Sequence, residues 1–295
     1  MSSFAETLSK GGFVVTAELN PPKGTDLTDL LAKAESLRGR VDAFNLTDSA
    51  SAIMTMAPLG AAAALKQRGF EPILQVTSRD RNRIAVQGDL LAGSSLGVST
   101  IVCMGGDPPG AGDHPEAKPV FDLDTISLLK AADALNGGKD FMGKALKGAT
   151  DFCVGAVCNP GANDLDKELQ RLEEKVDAGA EFFQTQAVYE PESFAAFMER
   201  VRGFGKPIIA GFIVLKSGDM ARRLNETLPG VSVPESLIAE MDAATDKPAR
   251  SIELAGRVIS ELKDMCQGVH VMAVGWENRI PAILEAGGVG NTRAG

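Results

Sequence analysis

Eight short runs rich in β-branched, aromatic and other apolar residues recur along this 295-residue chain, and nearly every one leads through a polar turn into a stretch of helical periodicity. The runs are Phe13–Ala17, Val41–Thr47, Pro72–Thr77, Thr100–Met104, Phe152–Val157, Glu181–Gln186, Pro207–Leu215 and Val269–Val274. Between them lie Leu27, Leu30, Leu31, Ala34 and Leu37 at helical spacing, then Pro58–Arg68, Ile84–Leu96, Ile126–Leu135, Leu165–Ala178 and Pro191–Val201, with Ile280–Leu284 at the close. Strand and helix alternating without a break in composition predict parallel strands joined by helical crossovers. The expected fold is α/β, a single (β/α)8 TIM barrel over residues 1–295, of the size such barrels take. A polar, Gly-dotted insertion (Gly137–Ala149) precedes the fifth strand, and helices interrupted by Pro229 and Pro234 precede the eighth. The tail from Gly287 to Gly295 is expected to fray.

Such barrels keep their chemistry at the C-terminal ends of the strands. In the first run, Pro21-Pro22 cannot continue a ladder, so Glu18 is expected just beyond the strand's end. The other ends supply Thr47 and Asp48, Gln75 and Thr77, Asp107, Asn159, Gln184 and Gln186, and Lys216. Singly, Asp48 or Asn159 also reads as a helix cap. Together, Glu18, Asp107 and Gln186 come from three strands and would converge over one mouth, where carboxylates and amides suit a polar heterocycle that needs protonation and hydrogen bonds.

Thr77-Ser78-Arg79-Asp80-Arg81-Asn82-Arg83 places three arginines where a helix begins, against its dipole. Two readings stand: a clamp for phosphate or polyglutamate, or a solvated face paired with nearby acids. The chain as a whole is acidic, with a formal charge of −9, so neither nucleic acid nor an anionic membrane is an expected partner. The N-terminus lacks signal-peptide character and no apolar run approaches about 18 residues, so neither export nor insertion is expected. Four cysteines without a CxxC pair suit a reducing cytoplasm. Cys153 and Cys158 lack further ligands, His114 reads as a solvated loop residue and His270 as a core or second-layer residue, so no metal site is expected.

The elements Thr16-Ala17-Glu18-Leu19-Asn20-Pro21-Pro22, Gly106-Asp107-Pro108-Pro109, Lys175-Val176-Asp177-Ala178-Gly179-Ala180 and Phe183-Gln184-Thr185-Gln186 stand in the order and spacing of the methylenetetrahydrofolate reductase family. The resemblance runs over nearly the whole chain. It is to the short catalytic-barrel form, and Thr77–Arg83, His114–Asp124 and Gly268–Ala273 are most similar to members from acetogenic and related anaerobic bacteria of the Wood–Ljungdahl type. The resemblance implies a flavoprotein oxidoreductase of one-carbon metabolism and methionine biosynthesis, in which FAD, or FMN, reduces 5,10-methylenetetrahydrofolate to 5-methyltetrahydrofolate. Electrons would come from NAD(P)H or a partner. By the same resemblance, Glu18 is the general acid for the folate N10, Asp107 the charge that stabilises the opened cation and tunes the flavin, and Gln186, with Gln184 and Lys216, holds the folate. Thr47, Gln75, Thr77, Gly106, Asp107, Glu168 and Lys175 fall to the flavin. Gly105, Gln75, Val157, Glu168 and Arg171 stand where many members carry arginine, histidine, tyrosine, aspartate and asparagine, and these departures gather on the flavin side. The resemblance further implies an oligomer and, beside the barrel, a zinc-containing second subunit with an electron-input module. Two other readings remain: a pterin-binding barrel methyltransferase without flavin, and a non-catalytic scaffold subunit of a larger redox complex.

Overall fold

The computed structural model describes residues 3–289. Its centre is a closed barrel of eight strands in sequence order, β1 (Val14–Leu19), β2 (Ala43–Leu46), β3 (Pro72–Thr77), β4 (Thr100–Met104), β5 (Cys153–Cys158), β6 (Phe182–Ala187), β7 (Ile208–Ile213) and β8 (Gly268–Met272). Every neighbouring pair is parallel, and β8 closes on β1 with Thr16 opposite His270. Helices α2 (Thr28–Ser36), α3 (Pro58–Gln67), α4 (Arg83–Ser95), α5 (Thr125–Asn136), α6 (Leu165–Asp177) and α7 (Pro191–Val201) follow the first six strands in turn. Three more, α8 (Gly218–Thr227), α9 (Glu235–Ala243) and α10 (Lys247–Leu262), fill the passage from β7 to β8, and α11 (Ile280–Ala286) ends the series. The (β/α)8 expectation is therefore met, extra helices included. No helix among the described residues is long and apolar enough to cross a membrane.

Several boundaries move, and one matters. β1 extends to Leu19, so Glu18 lies inside the strand rather than beyond it. Side chains alternate across a strand, so Glu18 shares the barrel-facing side with Val14 and Thr16. Helix α1 (Ser3–Ser9), which the sequence reading left out, precedes the barrel. The insertion folds back on itself through a bridge between Lys139 and Ala145. The tail is ordered further than expected: Val289 N–H donates to Leu284 O at 2.9 Å and the side chain is buried. The rest of the expected frayed tail, 290–295, lies outside the described residues.

The barrel interior divides into two kinds of layer. Toward the N-terminal end, Val14, Ala43, Ile73, Val102, Phe182 and Ile209 pack together, and Phe4 and Leu8 of α1 close them from below. The rings of Phe4 and Phe182 meet edge to face at 5.6 Å, a favoured aromatic geometry. Gly155 makes room for Phe182, because a Cβ there would stand 2.4 Å from the ring. Above this floor the inward residues turn polar. The larger apolar core lies outside the barrel, between strand faces such as Val15, Ala17 and Leu19 and the surrounding helices. Helix starts follow local rules: Asn82 accepts from Ile84 and Ala85 N–H at 3.1 Å, and Asp164 from Lys167 N–H at 3.0 Å.

Candidate active site

The polar layer of the barrel is continuous. Asn45 Nδ2 donates to Gln184 Oε1 at 2.7 Å, and Gln184 Nε2 donates in return to Asn45 Oδ1 at 3.1 Å and to Thr16 Oγ1 at 3.5 Å. Thr16 Oγ1 and His270 Nδ1 share a hydrogen bond at 2.9 Å. His270 Nε2 then stands 3.8 Å from Glu18 Oε2. Gln184 has already given both its N–H groups to Thr16 and Asn45, so the Thr16 hydroxyl proton is free to go to His270 Nδ1. That arrangement leaves the proton of His270 on Nε2, facing the Glu18 carboxylate. Buried polar groups of this kind hold one arrangement where each finds its partner, as Thr16, Asn45 and Gln184 do. Thr16, Asn45, Gln184 and His270 are buried, whereas the Glu18 side chain keeps 19% of its exposure. Glu18 is thus the member of the chain that reaches the mouth.

The expected site residues separate into those that reach the mouth and those already spent. Gln184 belongs to the interior layer and faces Asn45. Gln186 is half-buried at a register irregularity between β6 and β7, with Thr185 Oγ1 donating to Gln186 O at 2.7 Å and accepting from Gly211 N–H at 2.9 Å. Bulges beside active sites re-aim a side chain in this way. Gln75 lies on the inner wall and makes no side-chain hydrogen bond among the described residues. Asp107 is exposed on the loop after β4, and its Oδ2 accepts from Ser51 N–H at 3.1 Å. Thr47 donates to Asn20 Oδ1 at 2.8 Å and is buried. Lys216 donates to Val274 O and lies 5.6 Å from the Trp276 ring. Lys175 and Glu168 sit between α6 and the β5 backbone: Lys175 Nζ donates to Val157 O at 2.7 Å, and Glu168 Oε1 accepts from Asn159 N–H at 3.0 Å. Burial pushes the Lys175 ammonium below the ordinary lysine range, with Glu168 opposing that shift from 3.9 Å.

Two expectations need correction, and one open choice is resolved. Asp48 is not a helix cap: its Oδ2 accepts from Thr77 N–H and Thr77 Oγ1, both at 2.9 Å, and from Arg81. Asn159 does not cap α6 either, since Asp164 holds that place, and its amide instead donates to Pro229 O at 3.2 Å. The arginine cluster is not a free clamp. Arg79 pairs with Asp80, Arg81 with Asp48 and Asp89, and Arg83 with Asp122. Only Arg83 lies in α4, so the dipole argument reached one arginine, not three.

Backbone strain concentrates around this mouth. Ser49, Ser51 and Ala52 all have left-handed φ, between 51° and 55°, and Val274 has φ 51°. Such conformations cost about 1–2 kcal/mol each in ordinary residues and persist where surroundings over-determine them. Among the described residues there is no cluster of three or more histidine, cysteine or carboxylate side chains that could hold a metal ion. The sequence reading missed Thr16, although it stands two residues before Glu18 on the same face. It also missed Trp276, the only tryptophan of the chain, flanked by Lys216 and, at 4.9 Å, by Arg279.

Known proteins resemble this chain in sequence and in fold. The family described as methylenetetrahydrofolate reductase matches residues 3–288. "Methylenetetrahydrofolate reductase 2" of Schizosaccharomyces pombe is 26% identical over 240 residues, covering 73% of this chain and 35% of that protein. "5,10-methylenetetrahydrofolate reductase" of Escherichia coli is 30% identical over 169 residues, covering 56% and 50%. The corresponding Salmonella typhimurium protein is 30% identical over 202 residues, covering 66% and 61%. The chain thus spans about a third of the length of the fission-yeast relative. Among solved structures, a 2,3-dimethylmalate lyase superposes with TM-score 0.56 at 14% identity, over 97% of this chain and 85% of its own. At that identity the likeness is one of fold.

Proposed function

From the premise that this chain belongs to the methylenetetrahydrofolate reductase family, we propose that it reduces 5,10-methylenetetrahydrofolate to 5-methyltetrahydrofolate at the C-terminal mouth of its barrel. One observation carries the reading. Glu18 stands at the inner wall of the mouth, at the end of a buried relay through His270 and Thr16, with Gln186 three strands away around the barrel on β6. A carboxyl group so placed is suited to deliver a proton to the folate N10, which opens the five-membered ring to a cation on the pterin side. Asp107 lies on the rim, where a negative charge stabilises that cation. Gln186, re-aimed by the β6 irregularity, offers an amide to the pterin edge. Lys216 and Trp276, beyond β7 and β8, offer a cation and an aromatic face to the folate tail.

A flavin, FAD in this reading, supplies the hydride when bound. The residues fit such a group. Gly106 has φ 87°, and a Cβ there would stand 3.0 Å from Thr77, so only glycine lets the β4 loop pass this close to the end of β3. Gln75 and Thr77 line the wall beside it. Arg171, on α6 beside Lys175, forms no ion pair among the described residues and is placed for a phosphate. Electrons then arrive from NAD(P)H or from a partner module, in a cytoplasmic setting.

The test is spectroscopic. The purified or flavin-reconstituted chain is titrated anaerobically with 5-methyltetrahydrofolate, and bound flavin is released and identified by chromatography. Bleaching of the flavin absorbance is the expected result. A chain that binds flavin yet is not bleached by excess methyltetrahydrofolate is not a reductase of this kind.

A further inference from the structure

The strained segment Ser49–Ala52 bears directly on Asp107, and one buried residue connects the two. Arg79 retains 2% of its exposure. Its guanidinium has five N–H donors, and the structure accounts for each. Nε and Nη2 donate to the Asp80 carboxylate at 2.7–3.0 Å. The remaining Nη2 proton points to Asp48 O at 3.4 Å, and Nη1 donates to Ser49 O at 3.2 Å and Asp107 O at 3.3 Å. Arg79's own carbonyl accepts from Val120 N–H at 2.7 Å, near the far end of the loop that carries Asp107.

We propose that Arg79 is a positioning residue of the mouth: its buried fork holds the strained Ser49–Ala52 segment and the Asp107 loop in one arrangement, which aims Ser51 N–H at the Asp107 carboxylate. The inference rests on reading Asp107 as a site residue, and it reaches beyond that reading to a residue that touches neither folate nor flavin. The physical reason is geometric. Three carbonyls from two loops converge on one planar cation, and a lysine ammonium, a single point with three rotatable donors, cannot serve three carbonyls and a bidentate carboxylate together. Without the fork, left-handed Ser49, Ser51 and Ala52 relax toward ordinary backbone, and Ser51 N–H leaves Asp107.

The decisive variant is Arg79→Lys, which keeps the charge. Amide hydrogen exchange in the ligand-free protein is expected to quicken by about tenfold or more over residues 48–55 and 105–113, with the barrel strands unchanged. In turnover, kcat is expected to fall by about 30-fold while KM for the folate stays within about threefold, because Asp107 is misplaced without loss of the binding walls. Ser51→Gly, which removes the conformational penalty at φ 53°, is expected to return at least threefold of the lost rate in the Arg79→Lys background, a coupling that independent effects would not give. Uniform exchange across the barrel, or no coupling with Ser51→Gly, would mean that Arg79 is an ordinary core ion pair, and overturns the proposal. Should Arg79→Lys fail to fold, Ser51→Gly alone decides: relief of strain raises Tm by about 2 °C, and a lowered Tm overturns it. Exchange and Tm need no bound ligand, so they stand even if the chain proves not to be a reductase.

Discussion

At its N-terminal end the barrel is closed by hydrocarbon: Val14, Ile73, Phe182 and Ile209 meet Phe4 and Leu8, and a glycine gives Phe182 its room. At the other end the same strands, two to four residues on, present Glu18, Gln75 and Gln186, beside a layer of Thr16, Asn45, Gln184 and His270. The bottom also has a cleft, about 820 Å3 between α1 and the starts of β5 to β8. Its polar groups, however, serve the strands: Glu181 accepts from Val154 N–H at 3.0 Å and Gln267 from Ile208 N–H at 2.9 Å. A cleft alone therefore does not locate the chemistry. What distinguishes the mouth is polar side chains left with unused capacity, strained backbone, and a carboxylate at the end of a buried relay.

This contrast can be broken by substitution at either end. Phe182→Ala empties the floor and is expected to cost about 3–5 kcal/mol of stability, read by denaturant unfolding, with turnover per folded molecule retained. A comparable loss of turnover would deny that the two ends are separate. Asp107→Asn removes an exposed charge and is expected to lower kcat by about 100-fold, with little change in unfolding free energy. An unchanged rate removes Asp107 from the chemistry.

Asn45→Ala sharpens the boundary between the two regimes. It leaves the Gln184 amide unpaired in the interior, at a cost of about 1–3 kcal/mol, and also frees Gln184 to release Thr16. Stability and rate should fall together, unlike in either preceding variant, and a fall in one alone would place the layer wholly at one end.

The smallest effect concerns the rim. Hydrogen bonds from the Arg83 guanidinium, then from its backbone N–H, hold the Asp122 carboxyl at about 2. Lys23, then Met54 N–H and His114, hold Asp113 well below the usual carboxylate range. A carboxylate with a depressed folded-state pKa contributes stability that is present above its ordinary value near 4 and lost as pH falls through the folded value. Protection of the amides around residues 54, 113 and 122, taken relative to the intrinsic exchange rate at each pH, should therefore fall as pH drops from about 4 to 2, before the Phe182 floor responds. Simultaneous loss would mean that these pairs do not act locally.

The barrel was legible because its signal is repeated: each strand run and each helix reinforces the next, and errors of one or two residues do not change the count. The convergence of polar residues was legible for the same reason, since the strand ends of such a fold share one face. The roles of individual polar side chains were not. Gln184 and Gln186 read alike in sequence, yet the parallel ladder turns one into the interior, while the other sits at a register irregularity with its Oε1 accepting from Ala187 N–H at 3.1 Å. Three arginines in seven residues left a clamp and an acid-paired face both open, because the partners that decide it, Asp48, Asp89 and Asp122, lie outside that stretch. Left-handed backbone at Ser49, Ser51 and Ala52 carries no glycine or asparagine to announce it, so only the fold reveals it.

The most direct test of the central claim, that Glu18 is the acid of this mouth, is the flavin half-reaction of Glu18→Gln. The variant keeps an amide of the same shape and loses the transferable proton. It should bind 5-methyltetrahydrofolate and accept electrons from dithionite as the parent chain does, while its bleaching by methyltetrahydrofolate slows by about 10³-fold. Bleaching at the parent rate would contradict the account and move the proton transfer to another group.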